Sequence, residues 1–127
     1  MELKSLGAMT LFAEDLAATT AFYREALGLR LVYEDDHSMV FDFGNTVVNV
    51  LDVSEAHSLV EPARVAPPDA GARALLSIWV DDVDAVCAEL GRRGVELVNG
   101  PIDRPWGKRT ASFADPAGNL WEIAQDI

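Results

Sequence analysis

Cysteine, long apolar runs and basic residues are all scarce in this chain of 127 residues. Its one cysteine, Cys87, excludes an internal disulfide and a cysteine-rich zinc site. No apolar stretch approaches the roughly 20 residues that a membrane-spanning helix requires. The N-terminus, Met1-Glu2-Leu3-Lys4, lacks the basic and then apolar pattern of a secretory signal. We therefore expect a soluble, cytoplasmic protein that does not bind membranes.

Acidic residues outnumber basic residues by about two to one. Ten Lys and Arg residues stand against 21 Asp and Glu, which gives a formal net charge of −11 at pH 7. Such a surface repels nucleic-acid phosphates and anionic membranes, so we expect neither as a partner. It attracts cationic ligands, although solubility is a simpler explanation of the same charge.

Several catalytic motifs are also missing from the sequence. There is no Gly-x-Ser-x-Gly nucleophile elbow, no Walker loop and no dinucleotide-binding glycine fingerprint. Cys87 falls on the apolar face of a predicted helix, where a thiol is inert. The two histidines are predicted as ordinary surface residues, His37 in a hairpin turn and His57 in the segment leading to a linker.

A segment rich in proline, alanine and glycine, residues 61–72, divides the chain into residues 1–60 and residues 73–127. Paired prolines stop both helices and central strands, so this segment is predicted as a linker. Each part predicts a strand, a helix and three further strands. Because neither part is large enough for a comfortable core of its own, we expect one compact unit.

The predicted elements have matching boundaries in the two parts. Asp15 and Asp82 are suited to cap the helices 16–27 and 83–90, since a carboxylate accepts from the free amides of the first turn. Gly28 and Gly94 are suited to end them. The predicted strands are 7–13, 29–33, 39–43 and 46–51 in the first part, and 75–80, 95–98, 109–114 and 119–124 in the second.

Two βαβββ modules of this kind predict an α+β fold. One helix covers only one face of a four-stranded sheet, so the uncovered faces of two modules can curl into a cup of curved mixed sheet with the helices outside. Side chains alternate along a strand, and this predicts which ones face the cup. They are Ala8, Thr10, Phe12, Leu75, Ser77, Trp79, Leu120, Glu122 and Ala124.

Three pieces of sequence, in this order, resemble the vicinal oxygen chelate superfamily, which includes glyoxalases, extradiol dioxygenases, fosfomycin-inactivating enzymes and bleomycin-resistance proteins. The pieces are Asp15-Leu16 with residues 21–29, then residues 80–84, then Trp106-Gly107 with residues 113–122. The resemblance covers nearly the whole chain. It implies the cup described above and a homodimer.

The resemblance also implies a divalent metal held by His, Glu or Gln at four strand positions. Those positions fall here on Ala8, Leu75, either Val48 or Asn49, and Glu122. Alanine and leucine have no donor atoms, and one carboxylate with at most one amide is too few for a catalytic metal. We therefore predict no metal and no cofactor. Completion of a metal site by His57 or by a second chain is the alternative.

The candidate ligand-binding residues line the predicted cup or its mouth. They are Thr10, Phe12, Asn49, Ser77, Trp79, Trp106, Arg109 and Glu122. Trp106 either packs in a hairpin or stacks on a ligand from a mobile loop, and its Trp-Gly segment resembles the bleomycin-resistance branch. Glu122 either pairs with Arg109 or Lys108, anchors a ligand cation, or acts as a catalytic general base.

Three functions remain open at this point. The leading hypothesis is a metal-independent binder of a small molecule, such as a cationic, aromatic drug or metabolite, which acts by sequestration. The alternative is a lyase, isomerase or dioxygenase whose metal site is degenerate or completed by a dimer. A third possibility is an interaction module whose cup is filled by its own side chains.

Overall fold

The structure is a computed structural model that describes all 127 residues. The first module contains β1 (Ala8–Ala13), α1 (Leu16–Ala21) with a π-helical extension (Phe22–Ala26), β2 (Arg30–Glu34), β3 (Ser38–Asp42), β4 (Val47–Asp52) and α2 (Val53–Val60). The second contains β5 (Leu75–Trp79), α3 (Val83–Arg92), β6 (Leu97–Arg104), β7 (Lys108–Ala114) and β8 (Leu120–Asp126). This is the predicted α+β class with a strand–helix–three-strand order in each module.

The first module is a mixed sheet with strand order β1-β4-β3-β2, in which β1 and β4 run parallel. Asp15 caps α1 as predicted, and its carboxylate accepts from the amide of Ala18 at 3.0 Å. The helix turns Tyr23 onto the sheet, where its ring lies 5.7 Å from the ring of Phe41. Both rings are fully buried with Val48 and Val50, and together they form the core of this module.

The second module repeats this arrangement with strand order β5-β8-β7-β6, and β5 and β8 run parallel. Asp82 caps α3 by accepting from the amide of Ala85 at 3.0 Å. The core under α3 is apolar. It contains Val83, Leu90, Ala111, Phe113, Trp121 and Ile123.

The predicted alternation of side chains is confirmed on β5 and at Val48 and Asn49 of β4. On β5, Leu76 and Ile78 are half-buried toward the helix side, whereas Leu75, Ser77 and Trp79 are exposed. On β4, Val48 is fully buried while Asn49 lies on the other face beside Thr10. The sheet face without a helix is called the open face below. In the second module it carries Leu75, Ser77, Trp79, Thr110, Ser112, Leu120, Glu122 and Ala124.

One helix was not expected from the sequence. Residues 53–60 form α2, so the segment leading to the linker, which contains His57, is helical. Asp52 ends β4 and also caps α2, since its carboxylate accepts from the amide of Ser54 at 2.9 Å. Ala56 is fully buried and anchors the helix. An eight-residue helix with so short an apolar face gives a weak periodic signal in the sequence.

The other differences lie at element ends. The first helix changes after Ala21 to a π-helical turn, in which the amide of Leu27 donates to Phe22 at 3.1 Å. β6 runs to Arg104, well past the predicted end, and its pairing with β7 shifts register twice. Contacts divide the chain into two compact units, Met1–Pro67 and Pro68–Ile127. No helix is long and apolar enough to cross a membrane.

Candidate functional site

The open face of the second module centres on Glu122. Ser77 lies directly opposite Glu122 on the neighbouring strand, and its hydroxyl donates to Glu122 Oε1 at 2.7 Å. Leu75 and Leu120 form the next pair along the strands on one side, and Trp79 and Ala124 form the pair on the other. A held carboxylate therefore lies between two apolar pairs, in which Leu75 and Trp79 are exposed and Ala124 is buried.

The first module has the same arrangement with a neutral group. Thr10 lies opposite Asn49, and the Asn49 amide nitrogen donates to the Thr10 hydroxyl at 3.5 Å. The amide oxygen of Asn49 is buried and has no hydrogen-bond partner. Phe12 follows on the same face, opposite Leu51. Both modules thus place a hydroxyl residue of the first strand against a polar residue of the last.

The residues at the implied metal positions do not fit a catalytic divalent ion. The register assigns the uncertain position to Asn49, because Val48 faces the helix and is fully buried. Ala8 and Leu75 supply no donor atoms, which leaves one amide oxygen and one carboxylate. Nowhere do three or more His, Cys, Asp or Glu side chains converge in a way that could hold a metal.

Arg109 lies away from Glu122. Ser112 is the β7 residue opposite Glu122, so Arg109, three residues earlier, projects to the helix face. Its guanidinium donates to both carboxylate oxygens of Asp84 on α3 at 2.9 Å, and to Asp103 on β6 at 2.9 Å. These bonds raise the pKa of Arg109 and hold the pKa of Asp84 below its usual value. The interpretation in which Glu122 pairs with Arg109 is therefore wrong.

Lys108 does not pair with Glu122 either. It lies opposite Asp126 at the end of the open face, and its ammonium forms an ion pair with that carboxylate. The same ammonium lies 5.3 Å from the centre of the Trp79 ring. These residues border a cleft of about 380 Å³ that also includes Asp81 and Gln125. The sequence did not predict this cleft, because the predicted strands 109–114 and 119–124 leave out Lys108 and Asp126, which the observed β7 and β8 include.

Trp106 lies in the turn between β6 and β7 and is 67% exposed. On the preceding strand, Arg104 donates to the buried Thr110 hydroxyl at 3.0 Å. The indole itself has no aromatic partner, so it is free to meet a ligand or another surface.

The remaining candidates for chemistry are at the surface or inert. His37 and His57 are both exposed, as predicted, and the His37 imidazole lies 3.6 Å from Glu55 on α2. Burial raises the pKa of the Cys87 thiol, with Asp84 adding to the effect, so the reactive thiolate is disfavoured.

Known proteins resemble this chain over nearly its whole length. It is 32% identical over 117 residues to the uncharacterized protein YraH of Bacillus subtilis, covering 89% of this chain and 91% of that one. A crystal structure of a glyoxalase-related enzyme from Fulvimarina pelagi matches with a TM-score of 0.83 at 25% identity, covering 98% of this chain and 89% of that one.

A lactoylglutathione lyase from Agrobacterium tumefaciens has the same fold, with a TM-score of 0.77 at 24% identity over 98% of this chain and 95% of that one. Residues 5–123 match the family described as the Glyoxalase/Bleomycin resistance protein/Dioxygenase superfamily. The repeated βαβββ modules, the match along the sequence and the shared fold agree, and the chain belongs to this superfamily.

Proposed function

We propose that the protein is a metal-independent binder of a small cationic, aromatic molecule and that it acts by sequestration, as a homodimer and without a cofactor. The observation that carries the proposal is the Ser77–Glu122 pair, a carboxylate held at 2.7 Å by a hydroxyl on the open face. Leu75 and Trp79 flank it and are 49% and 71% exposed.

This combination suits a ligand with a flat apolar part and a positive charge. Exposed apolar side chains gain free energy when a ligand ring covers them, by about 25 cal/mol per Å² of apolar surface removed from water. A carboxylate at the centre favours a cation over a neutral or anionic ligand. Thr10, Phe12 and Asn49 offer a similar but uncharged face in the first module.

The donor set supports binding without a metal. The two first-strand positions at which the family resemblance implies metal ligands are occupied here by Ala8 and Leu75, which have no donor atoms. A lyase, isomerase or dioxygenase would therefore need ligands from elsewhere, such as a second chain. That alternative makes a distinct prediction, which is a stoichiometric metal and a turnover that chelators abolish.

The test is a titration with bleomycin-type antibiotics, which are cationic and carry flat aromatic groups. Binding is measured by tryptophan fluorescence and by calorimetry. We expect Glu122→Gln to weaken binding about tenfold, or about 1.4 kcal/mol, because it removes the charge and retains the shape. Glu96→Gln is the matched control. Glu96 is an exposed carboxylate before β6, so its loss changes the net charge equally but leaves the open face intact.

Two results would contradict the proposal. One is the absence of both heat and fluorescence change across a panel of cationic, aromatic compounds. The other is purified protein that carries one divalent metal per chain and loses a defined activity when the metal is removed, which would favour the enzyme.

A further inference from the structure

The cleft beside Trp79 contains a cationic side chain of the protein itself, Lys108. Lys108 reaches from the start of β7 across the open face, and its ammonium lies 5.3 Å from the centre of the Trp79 ring. Asp126, opposite it on β8, completes an ion pair. An ammonium above an indole and beside a carboxylate has the contacts that a bound cationic ligand would make.

The cleft is also large enough and negative enough for a ligand group. Its volume is about 380 Å³, within the range of small-molecule sites. Asp81 and Asp126 both border it, so its two carboxylates exceed the single ammonium of Lys108. The Lys108 side chain retains only a third of its exposure and Trp79 remains open to solvent. The ring is therefore accessible, but its cation-binding position is occupied from within.

We propose that this cleft is the subsite for the cationic group of the ligand and that Lys108 occupies it in the free protein as a competing internal cation. The inference rests on the proposed function and adds two points. It states where the charged group of the ligand binds, and it names Lys108 as the residue that limits the affinity. A ligand cation must displace the Lys108 ammonium from Trp79 and Asp126 before it binds. A cation that interacts with Trp79 and Asp126 more weakly than the Lys108 ammonium does cannot displace it. Lys108 therefore excludes weakly interacting cations from the cleft.

The probe is benzyltrimethylammonium, which has a flat ring and a positive charge but no hydrogen-bond donor. It reports on ring and charge contacts alone. Calorimetric titrations compare the wild type with Lys108→Met, which keeps an unbranched apolar stem and removes the ammonium. We expect Lys108→Met to bind the probe about three- to tenfold more tightly, as expected from one cation–π contact and one removed like charge.

Two further variants separate the ring from the general charge. Lys108→Arg retains a cation and should show no gain over the wild type. Lys108→Met combined with Trp79→Leu should lose most of the gain, because the ring that receives the cation is absent. Unfolding curves of all variants, read by far-UV circular dichroism, verify that each is folded.

The inference is overturned if Lys108→Met binds the probe no more tightly than the wild type. It is equally overturned if the gain persists in the double variant, since the effect would then be only long-range charge. The proposed function fails separately. If the purified protein carries one divalent metal per chain and loses a defined activity when the metal is removed, while the probe still responds to Lys108→Met, the cleft is a cation site and the metal-independent binder is wrong.

Discussion

Arg109 connects three elements of the second module. From β7 it reaches Asp84 on α3 and Asp103 on β6, so one guanidinium ties a helix and a neighbouring strand to the centre of the sheet. Its side chain is 28% exposed, less than the carboxylates that it holds. A residue that looked like a ligand contact because of its basic neighbours is instead engaged in internal bonds.

We expect Arg109→Met to lower the stability of the protein at neutral pH and to lower it less in acid. Hydrogen bonds from Arg109 are the main reason that the pKa of Asp84 lies below its usual 3.8. A carboxyl whose pKa falls on folding stabilises the native state above the unfolded pKa, and that contribution is lost as the pH drops through the folded pKa. Urea unfolding of both proteins between about pH 2 and pH 7 measures the difference.

The control for this prediction is Arg64→Met, which removes the same charge from an exposed position in the connecting segment. It should leave the pH dependence of stability unchanged. A gap between Arg109→Met and the wild type that stays constant down to pH 2 would show that the ion pairs with Asp84 and Asp103 contribute little.

At the scale of elements, β6 is the least regular strand. Its pairing with β7 shifts between Leu97 and Asn99 and again between Asn99 and Ile102. Gly100 lies within the second shift, with a backbone φ of +90°. A Cβ added there would lie 2.5 Å from the Thr110 carbonyl oxygen and 2.7 Å from the Ala111 Cα. Only glycine allows β6 to cross so close to β7.

We therefore expect Gly100→Ala to lower the free energy of unfolding by about 2–4 kcal/mol, because both its φ and the approaching backbone oppose a side chain. Gly91→Ala is the opposite control. Gly91 lies inside α3 with open space around its Cα, so alanine there should raise stability by about 0.5–1 kcal/mol. Equal stability of Gly100→Ala and the wild type in denaturant unfolding would contradict the close approach.

At the scale of the whole molecule, the charge of −11 acts on every ligand that approaches. The acidic surface raises the local concentration of cations, and salt weakens this effect because the screening length falls from roughly 10 Å at 0.1 M to 3 Å at 1 M. Glu122 and the cleft carboxylates add short-range attraction of the same sign.

We expect affinity for a cationic aromatic ligand to decrease steadily with sodium chloride between about 0.05 M and 1 M. An uncharged aromatic compound of similar shape should bind more weakly at low salt and change little across the series. Fluorescence titrations at four or five salt concentrations measure both. Binding of the cation that does not depend on salt would mean that apolar contact alone drives it.

The sequence by itself determined the local features of this protein. The aspartates at 15 and 82 cap helices through amides three residues away, and Asp115 accepts from Ala117 and Asn119 in the predicted turn. Strand alternation correctly placed Ser77 on the same face of β5 as Leu75 and Trp79, because a period of two is a property of the strand itself. These features depend on residues close together in the chain, so a single sequence is enough to predict them.

Only the tertiary structure decided which distant side chains meet. The register of β7 against β8 sends Arg109 to Asp84 and Lys108 to Trp79, and neighbouring positions in the sequence thus act on opposite faces. Burial of Ala56 stabilises α2. The short apolar pattern of residues 53–60 does not predict that burial. Register and burial arise from contacts between segments many residues apart, and the composition of one segment does not specify them.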